Sequence, residues 1–414
     1  MRTVSQMDYH AGCVLKIHPS DRQKHIIAVN DGAARSVYNL LVAYDRELHL
    51  LRKTSIYIHE VAERIDYLTS VISSHSGIVN ALPYLKEKDV DSMAVSNAIM
   101  NHRKAWRNMK ENHTGIPTFH RKSHVQSYQT SAHYRKGAES INDGNVRFED
   151  EHHIILPKLG RIRFDGSPEV VRGLMSRRNA RIGTVTISRD AVGEYWVSLQ
   201  ISADDRLAES LPETGSQAGI DLNLTDLVND SDGGSFENPR FIRAAEKKLA
   251  KAQRKLSRRA EKAKRDGRRL ADSANYQKQR KKVAFIQRKT ARQRADYLNC
   301  VSKQLIKNHD LIAAEDLKVK DMMQNSLLAR SIGDAGWGTL LRMLVQKGET
   351  YGRQVVLVPP EYTTQTCSAC GHVMTGKERL PLSAREWDCP ACGTHHVRDT
   401  NAAKNILARA LGSL

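Results

Sequence analysis

The chain has 414 residues, with 65 Lys and Arg against 46 Asp and Glu and a formal charge of +19. At roughly 150 residues per domain that is ample for about two to four units with real cores, and a balance this basic calls for a polyanionic partner. An acidic membrane surface is disfavoured as that partner. No apolar run approaches the roughly 18 residues of a spanning helix, and the opening MRTVSQMDYHAGCVLKIHP lacks a signal peptide's apolar stretch. A cytoplasmic protein is expected, in which six cysteines are metal ligands or packed thiols rather than disulfides.

In chain order, AGCVLKIHP (residues 11 to 19) reads as a strand, followed by helical stretches from Asp21 to about Met109. One of these, DSMAVSNAIMNHRKAWRNM, places Val95, Ala98, Ile99 and Trp106 on one face, with Ser92, Ser96, Asn97, His102 and Arg103 elsewhere. From Gly115 to about Ala203 the texture changes to short strands, and HHIILPKLGRIRF and TVTISRDAVGEYWVSLQIS suggest a barrel-like β unit. The early strand joins that unit, which makes the helices an insertion. Residues 204 to 217, DDRLAESLPETGSQ, form a polar linker at a domain boundary.

The second half alternates strands and helices, as an α/β domain with inserted modules does. AGIDLNLTDLV is the first strand candidate. From Arg240 to Arg294 there are 22 Lys or Arg against four acids, so +18 of the chain's +19 lies in 55 residues. Leu249, Leu256, Ala263 and Leu270 recur at heptad spacing, and Val283, Ile286, Thr290 and Tyr297 resume the stripe after a break at 271 to 277. This is a helical hairpin whose one-sided charge, including Arg254, Lys255, Arg258 and Arg259, suits nucleic acid better than a merely solvated face. HDLIAAEDL is the next strand. Asp334 is placed to cap a helix carrying Trp337, Leu340, Leu341, Leu344 and Val345, and GRQVVLVPP is a further strand.

Cys367 and Cys370, then Cys389 and Cys392, form two Cys-x-x-Cys knuckles, each followed by a glycine. Four thiolates at this spacing make a closed tetrahedral zinc site, with His372, His395 and His396 as bystanders or phosphate contacts. Cys13 and Cys300 read as ordinary buried thiols. Three acids stand where an α/β nuclease needs them: Asp221 inside GIDLNL, Glu315 ending LIAAE, and Asp399 before the closing helix RDTNAAKNILARAL. Converging, they could hold two magnesium ions, one to activate a water and one to stabilise the leaving 3′ oxygen of a phosphodiester. Each has a plainer alternative. Asp226 and Asp316 compete with their neighbours, Asp399 could be an N-cap, and spacing alone cannot join acids so far apart.

The order GIDLNLTDL, basic hairpin, IAAEDLKVKDM, SIGDAGWGTLLRML, YTTQTCSACG, CPACG and RDTNAAKNIL resembles the TnpB (OrfB) family of transposon-encoded RNA-guided DNA endonucleases, which are related to type V CRISPR nucleases. The resemblance is dense in the carboxy-terminal half and looser before it. It implies an RNase H-like RuvC domain over residues 215–360 and 399–414, with the basic hairpin inserted at 240–310 and a zinc ribbon at 361–398. It also implies a β-barrel wedge domain formed by 1–20 and 115–205, interrupted by a helical recognition domain at 21–114. Asp221, Glu315 and Asp399 then match the catalytic carboxylates and the four cysteines match the ribbon. The implied partners are a guide RNA made from the transposon end, one protein per guide, and a double-stranded DNA target beside a short motif that the protein reads. The helix carrying Ser92, Ser96 and Asn97 resembles the motif-reading element of relatives. Family members often have glycine two residues after the first catalytic Asp, where this chain has Asn223. Two other activities compete: a nuclease-inactive RNA-guided repressor, against which the three retained carboxylates argue, and a transposase acting directly on transposon ends, for which no dedicated feature is visible.

Overall fold

The computed structural model describes residues 4–53, 59–381 and 383–412. The chain divides between Leu207 and Ala208 into two units.

In the first unit the strands are β1 (Tyr9–His18), β2 (Gln126–Ser131), β3 (Arg147–Phe148), β4 (His153–Leu156), β5 (Gly160–Asp165), β6 (Ala180–Arg189) and β7 (Tyr195–Ala203). They form one antiparallel sheet in the order β2-β6-β7-β1-β5-β4-β3, so β1 lies centrally, paired with β7 over nine positions. Alternation along the strands turns Ile154, Leu156, Ile162, Phe164, Ile187, Val197 and Leu199 into one core. Between β1 and β2 run α1 (Asp21–Lys53), α2 (His59–Ser73), α3 (His75–Ala81) and α4 (Ser92–Asn112), which close over Val37, Leu41, Val71, Ile78, Val95 and Ile99. Asp91 caps α4 by accepting from the Met93 amide at 3.0 Å, and buried Asn30 of α1 accepts from the Asp91 amide at 2.8 Å. The sequence placed Asn97 and His102 off the apolar face of α4, yet both are buried. Asn97 donates to Met93 O and Ser131 Oγ, and His102 pairs with Asp45 at 2.9 Å, so burial is offset by satisfied polar contacts. A short helix, α5 (Pro168–Met175), follows β5 and adds Val171 and Leu174 to the sheet core.

The second unit is built on β8 (Gln217–Asp221), β9 (Asp226–Asp230), β10 (Ser235–Glu237), β11 (Leu311–Glu315) and β12 (Gln354–Val358), in the order β10-β9-β8-β11-β12. β8, β11 and β12 run parallel, and β9 is antiparallel to β8. The stretch read as one strand, AGIDLNLTDLV, is therefore two. Asn223 Oδ1 accepts from the amides of Thr225 and Asp226, both at 2.9 Å, and this side-chain-closed turn reverses the chain. Asp226 consequently opens the neighbouring strand and is not a rival on the strand of Asp221.

The helices of this unit are α6 (Phe241–Arg265), α7 (Ala274–Asn308), α8 (Val319–Met322), α9 (Ala329–Ala335), α10 (Trp337–Tyr351) and α11 (Arg398–Gly412). α7 and α10 cover one sheet face with Leu298, Val301, Leu305, Leu340 and Leu344, and α11 covers the other with Ile406 and Ala410. The hairpin turn lies at 266–273, earlier than the expected 271–277, because α7 already begins at Ala274 behind Ser273. Asp334 does not cap α10. It lies within α9 and accepts from the amides of Ile242 (2.8 Å) and Arg243 (3.1 Å), capping the first turn of the basic helix α6. A small hairpin of β13 (Glu386–Asp388) and β14 (His395–Val397) precedes α11. Cys300 is exposed and Cys13 half-buried, so neither is the fully buried thiol expected.

Candidate active site and metal centre

Strand periodicity determines which face each acid takes. On β8 a Cβ added at Gly219 would lie 2.0 Å from Ala403 O, so that face packs against α11. On β11, Leu311 and Ala313 belong to the same cluster as Ile406 and Ala410 of α11. Asp221 and Glu315 each follow two residues later, so both side chains project to the α11 side. The two strands are parallel and hydrogen-bonded neighbours with Ala314 opposite Ile220, which puts the two acids at the same level of the sheet. Asp399 enters from the first turn of α11 itself, within the helix rather than as its N-cap. Gly219 is what allows this close approach, since any larger residue would push α11 off the strand.

Electrostatics records the convergence. Asp221 is only 6 % exposed, and its carboxyl is pushed up to about 7, first by burial and then by the charges of Glu315 and Asp399. Glu315, 9 % exposed, is also raised, chiefly by burial, while the hydroxyl of buried Thr363 donates to its Oε1 at 2.6 Å and opposes the shift. Asp399 keeps 20 % side-chain exposure and has Arg385 Nη1 at 3.7 Å. Arg385 also donates to Thr225 Oγ1 in the turn after β8. Among the described residues only the four cysteines bring three or more candidate ligand atoms within 4.8 Å of one another, so the three carboxylates are spaced more widely than the sulfurs. A buried carboxylate facing two others is poorly compensated by protein groups alone, and the oxygen-only donor set fits a hard divalent cation.

Several supporting residues escaped the sequence reading. Asn401, buried on α11, accepts from the Ser368 amide at 2.9 Å and donates to Thr366 O at 2.8 Å. Asn405, one turn later, donates to Thr363 O (2.8 Å) and Thr366 O (2.6 Å). These two amides clamp the segment that holds Thr363 against Glu315. Their signal was present as two Asn at i, i+4 in an alanine-rich helix, the spacing that shares a face.

The four cysteines form the second centre. Cys367 Sγ lies 3.7 Å from Cys392 Sγ, and Cys370 Sγ lies 3.7 Å from Cys389 Sγ. A tetrahedron of sulfurs about 2.3 Å from a central ion has edges of about 3.8 Å, so the set fits a structural metal such as zinc. Gly371 and Gly393 adopt φ of 77° and 72° and donate to Cys367 O and Cys389 O, turning each knuckle. Of the neighbouring histidines, His372 pairs with Glu378 and His395 with Asp388. His396 is buried against Trp387 with Nε2 3.0 Å from Cys367 Sγ, in position to hydrogen-bond a ligand sulfur.

The sequence-selected basic residues are distributed unevenly. Arg254, Lys255 and Arg258 are exposed on α6, whereas Arg259 is half-buried and donates to Asn275 O at 2.6 Å, joining the two helices. On α4, Ser92 is exposed, Ser96 donates to Ser92 O, and Asn97 is buried as described above. No helix among the described residues is long and apolar enough to cross a membrane.

Two family models match the chain. Residues 197–326 match the one described as "Probable transposase" and residues 337–406 the one described as "Cas12f1-like, TNB domain". A "Putative RNA-guided DNA endonuclease" of Streptomyces pristinaespiralis is 31 % identical over 400 residues, covering 96 % of this chain and 89 % of that protein. The "Putative RNA-guided DNA endonuclease InsQ" of Escherichia coli K12 is 29 % identical, covering 95 % and 90 %. Among solved structures, the protein in a "Cas12f1-sgRNA-target DNA complex" matches over 96 % of this chain and 98 % of its own, with a TM-score of 0.55 and 13 % identity, a likeness of fold.

Proposed function

The chain belongs to the TnpB family of RNA-guided DNA endonucleases, and from that membership we propose that it cuts double-stranded DNA beside a short target-adjacent motif, directed by a guide RNA and using two magnesium ions at Asp221, Glu315 and Asp399. The observation that carries this reading is the convergence of the three acids on one side of the β8–β11 pair, with the Asp221 carboxyl driven up to about 7. Strand order β10-β9-β8-β11-β12 with β9 antiparallel supports the RNase H-like assignment. Magnesium held by Asp221, Glu315 and Asp399 would supply an activated water and positive charge beside the leaving 3′ oxygen, the chemistry of a hydrolysis that gives a 5′ phosphate.

Each residue of the site has a definable part. Asp221 and Glu315 present oxygens from rigid strands, and Thr363 restricts Glu315 to one orientation. Asp399 is more exposed and lies on the solvent side, where a phosphodiester can approach. Arg385 beside it offers a guanidinium to the incoming phosphate. The four cysteines would hold one zinc, whose role would be to keep the segment between β12 and α11 folded and thus Thr363 and Arg385 in place. The seven-stranded sheet and α1–α4 serve as wedge and recognition domains around the guide–target heteroduplex, gripped by shape and charge. Ser92 and Ser96 lie on the element proposed to read the motif, and Arg254, Lys255 and Arg258 on the hairpin contact phosphates.

The test is cleavage of a randomised target library by the protein purified with its copurifying RNA. Asp221→Ala and Glu315→Ala each should abolish cutting while RNA-dependent DNA binding persists. Persistent cutting in both variants overturns the carboxylate assignment.

A further inference from the structure

We propose that the groove between α6 and α7 is a stacking site for a single unpaired nucleotide, with Phe285 as the platform for the base and Lys248, Lys282 and Lys289 as the contacts for its phosphates. The site lies on the hairpin and away from the carboxylates. It rests on the nuclease reading only for the natural identity of the strand.

The groove follows from local side-chain size. Where Leu249, Ala252 and Leu256 of α6 meet Val283 and Ile286 of α7, the two helices are packed together. Closer to the start of α6, Ala244 and Ala245 stand in the seam, and their short side chains leave a cavity of about 350 Å³. Lys282, Phe285 and Lys289 fall at i, i+3 and i+7 on α7, so they form one stripe along its wall, and Lys248 faces them from α6.

Phe285 is the odd member of this surface. It is 49 % exposed on a hairpin whose other solvent-facing side chains are mostly cationic. Its ring is not a core element, because the inward stripe of α7 is carried by Val283 and Ile286. The Arg288 guanidinium lies 5.5 Å from its centroid and steadies it. An exposed aromatic ring flanked by ammonium groups and by no acid within the groove suits a ligand that is planar and apolar on one part and anionic on another. A nucleotide has that composition, and aromatic platforms in basic grooves bind unpaired bases with little regard to sequence. An acidic peptide satisfies the lysines but gives the ring no planar partner. A fully paired duplex presents phosphates but keeps its bases stacked on one another.

The experiment uses the full chain, freed of copurifying nucleic acid in high salt. Its probes are 12-nucleotide single-stranded RNA and DNA oligomers, each with one central 2-aminopurine, whose fluorescence falls when the base stacks, and a blunt RNA duplex of equal length. Binding of a single strand should quench the probe. Phe285→Ala should weaken single-strand affinity about ten-fold and abolish the quench, with Phe285→Trp restoring both and duplex affinity unchanged. Lys282→Gln with Lys289→Gln should lower the salt slope of single-strand binding by about 1.4 while leaving the quench in the bound state. Tighter binding of the RNA oligomer would assign the site to the guide, and tighter binding of the DNA oligomer to the displaced strand; both support the proposal. It is overturned if Phe285→Ala binds and quenches as the parent does, if Phe285→Trp fails to restore a quench lost in Phe285→Ala although its melting curve matches the parent's, or if an acidic peptide binds the groove and the oligomers do not compete. Absence of guided cleavage by the parent chain with the quench intact would refute the nuclease reading alone.

Discussion

Replacing Asp221 by Asn should remove cleavage and at the same time stabilise the second unit, and the size of that gain follows from the site. Burial and two facing carboxylates raise the Asp221 pKa from its ordinary 3.8 to about 7. Each unit of that shift corresponds to about 1.4 kcal/mol, so holding the ionised form in the fold costs about 4 kcal/mol above pH 7 without a cation. With only 6 % exposure, solvent screening offsets little of it. The sign follows from proton linkage: between pH 3.8 and about 7 the folded state binds a proton that the unfolded state has released, so stability falls as pH rises through that window and is level above it. Asp221→Asn is neutral throughout. The variant should therefore exceed the parent by about 4 kcal/mol at pH 8, shrinking to about 1 kcal/mol at pH 4.5. Hydrogen exchange of peptides covering β8 and β11, in zinc-loaded protein without added magnesium, reads this as protection about a thousandfold greater in the variant at pH 8. Adding magnesium should close the gap by stabilising only the parent. Equal protection at all pH values, or a gap that widens toward acid, would refute the argument that the three acids crowd a shared cation site.

Other outcomes follow from single contacts. Arg353, 2 % exposed at its side chain, pairs with Asp310 at 2.7 Å and donates to Pro212 O and Ile306 O; Arg353→Met should cost about 2–3 kcal/mol in urea unfolding, below the range for a wholly buried pair because Asp310 retains solvent contact. Asp334→Ala deprives two amides of α6 of their acceptor and should cost about 1 kcal/mol, a fall of about 3 °C in Tm, with Asp334→Asn recovering most of it. Serine at all four of Cys367, Cys370, Cys389 and Cys392 should abolish one bound zinc per chain by elemental analysis and lower the melting temperature, as a chelator does to the parent; an unchanged melt in both cases would contradict a structural metal. Charge removal at Arg254, Lys255 and Arg258 should lower the salt slope of nucleic-acid binding by about three, and an unchanged slope would return that face of α6 to solvent.

Local pattern was sufficient for much of this protein. The spacing of the four cysteines, the glycine after each knuckle, the concentration of charge between Arg240 and Arg294, and the order of motifs that marks the family were all legible in the sequence. Each is a property of neighbours along the chain, and residue chemistry at fixed spacing needs no knowledge of what packs against it. The acids were legible as candidates for the same reason. What only the tertiary structure decided is which residues meet across long separations. Asn223 closes a turn that makes two strands of one apolar run, and Asp334 caps a helix some 90 residues earlier instead of the one it precedes. Asn97 and His102, polar by type, are buried because partners on other elements satisfy them. Asp399 comes into electrostatic range of Asp221 because Gly219 lets α11 lie against β8, and Thr363 reaches Glu315 because Asn405 holds its loop. Such contacts depend on shape and on backbone groups that every residue carries alike, so periodicity in the sequence can mark a shared helix face, as it does for Asn401 and Asn405, but not the partner that face meets.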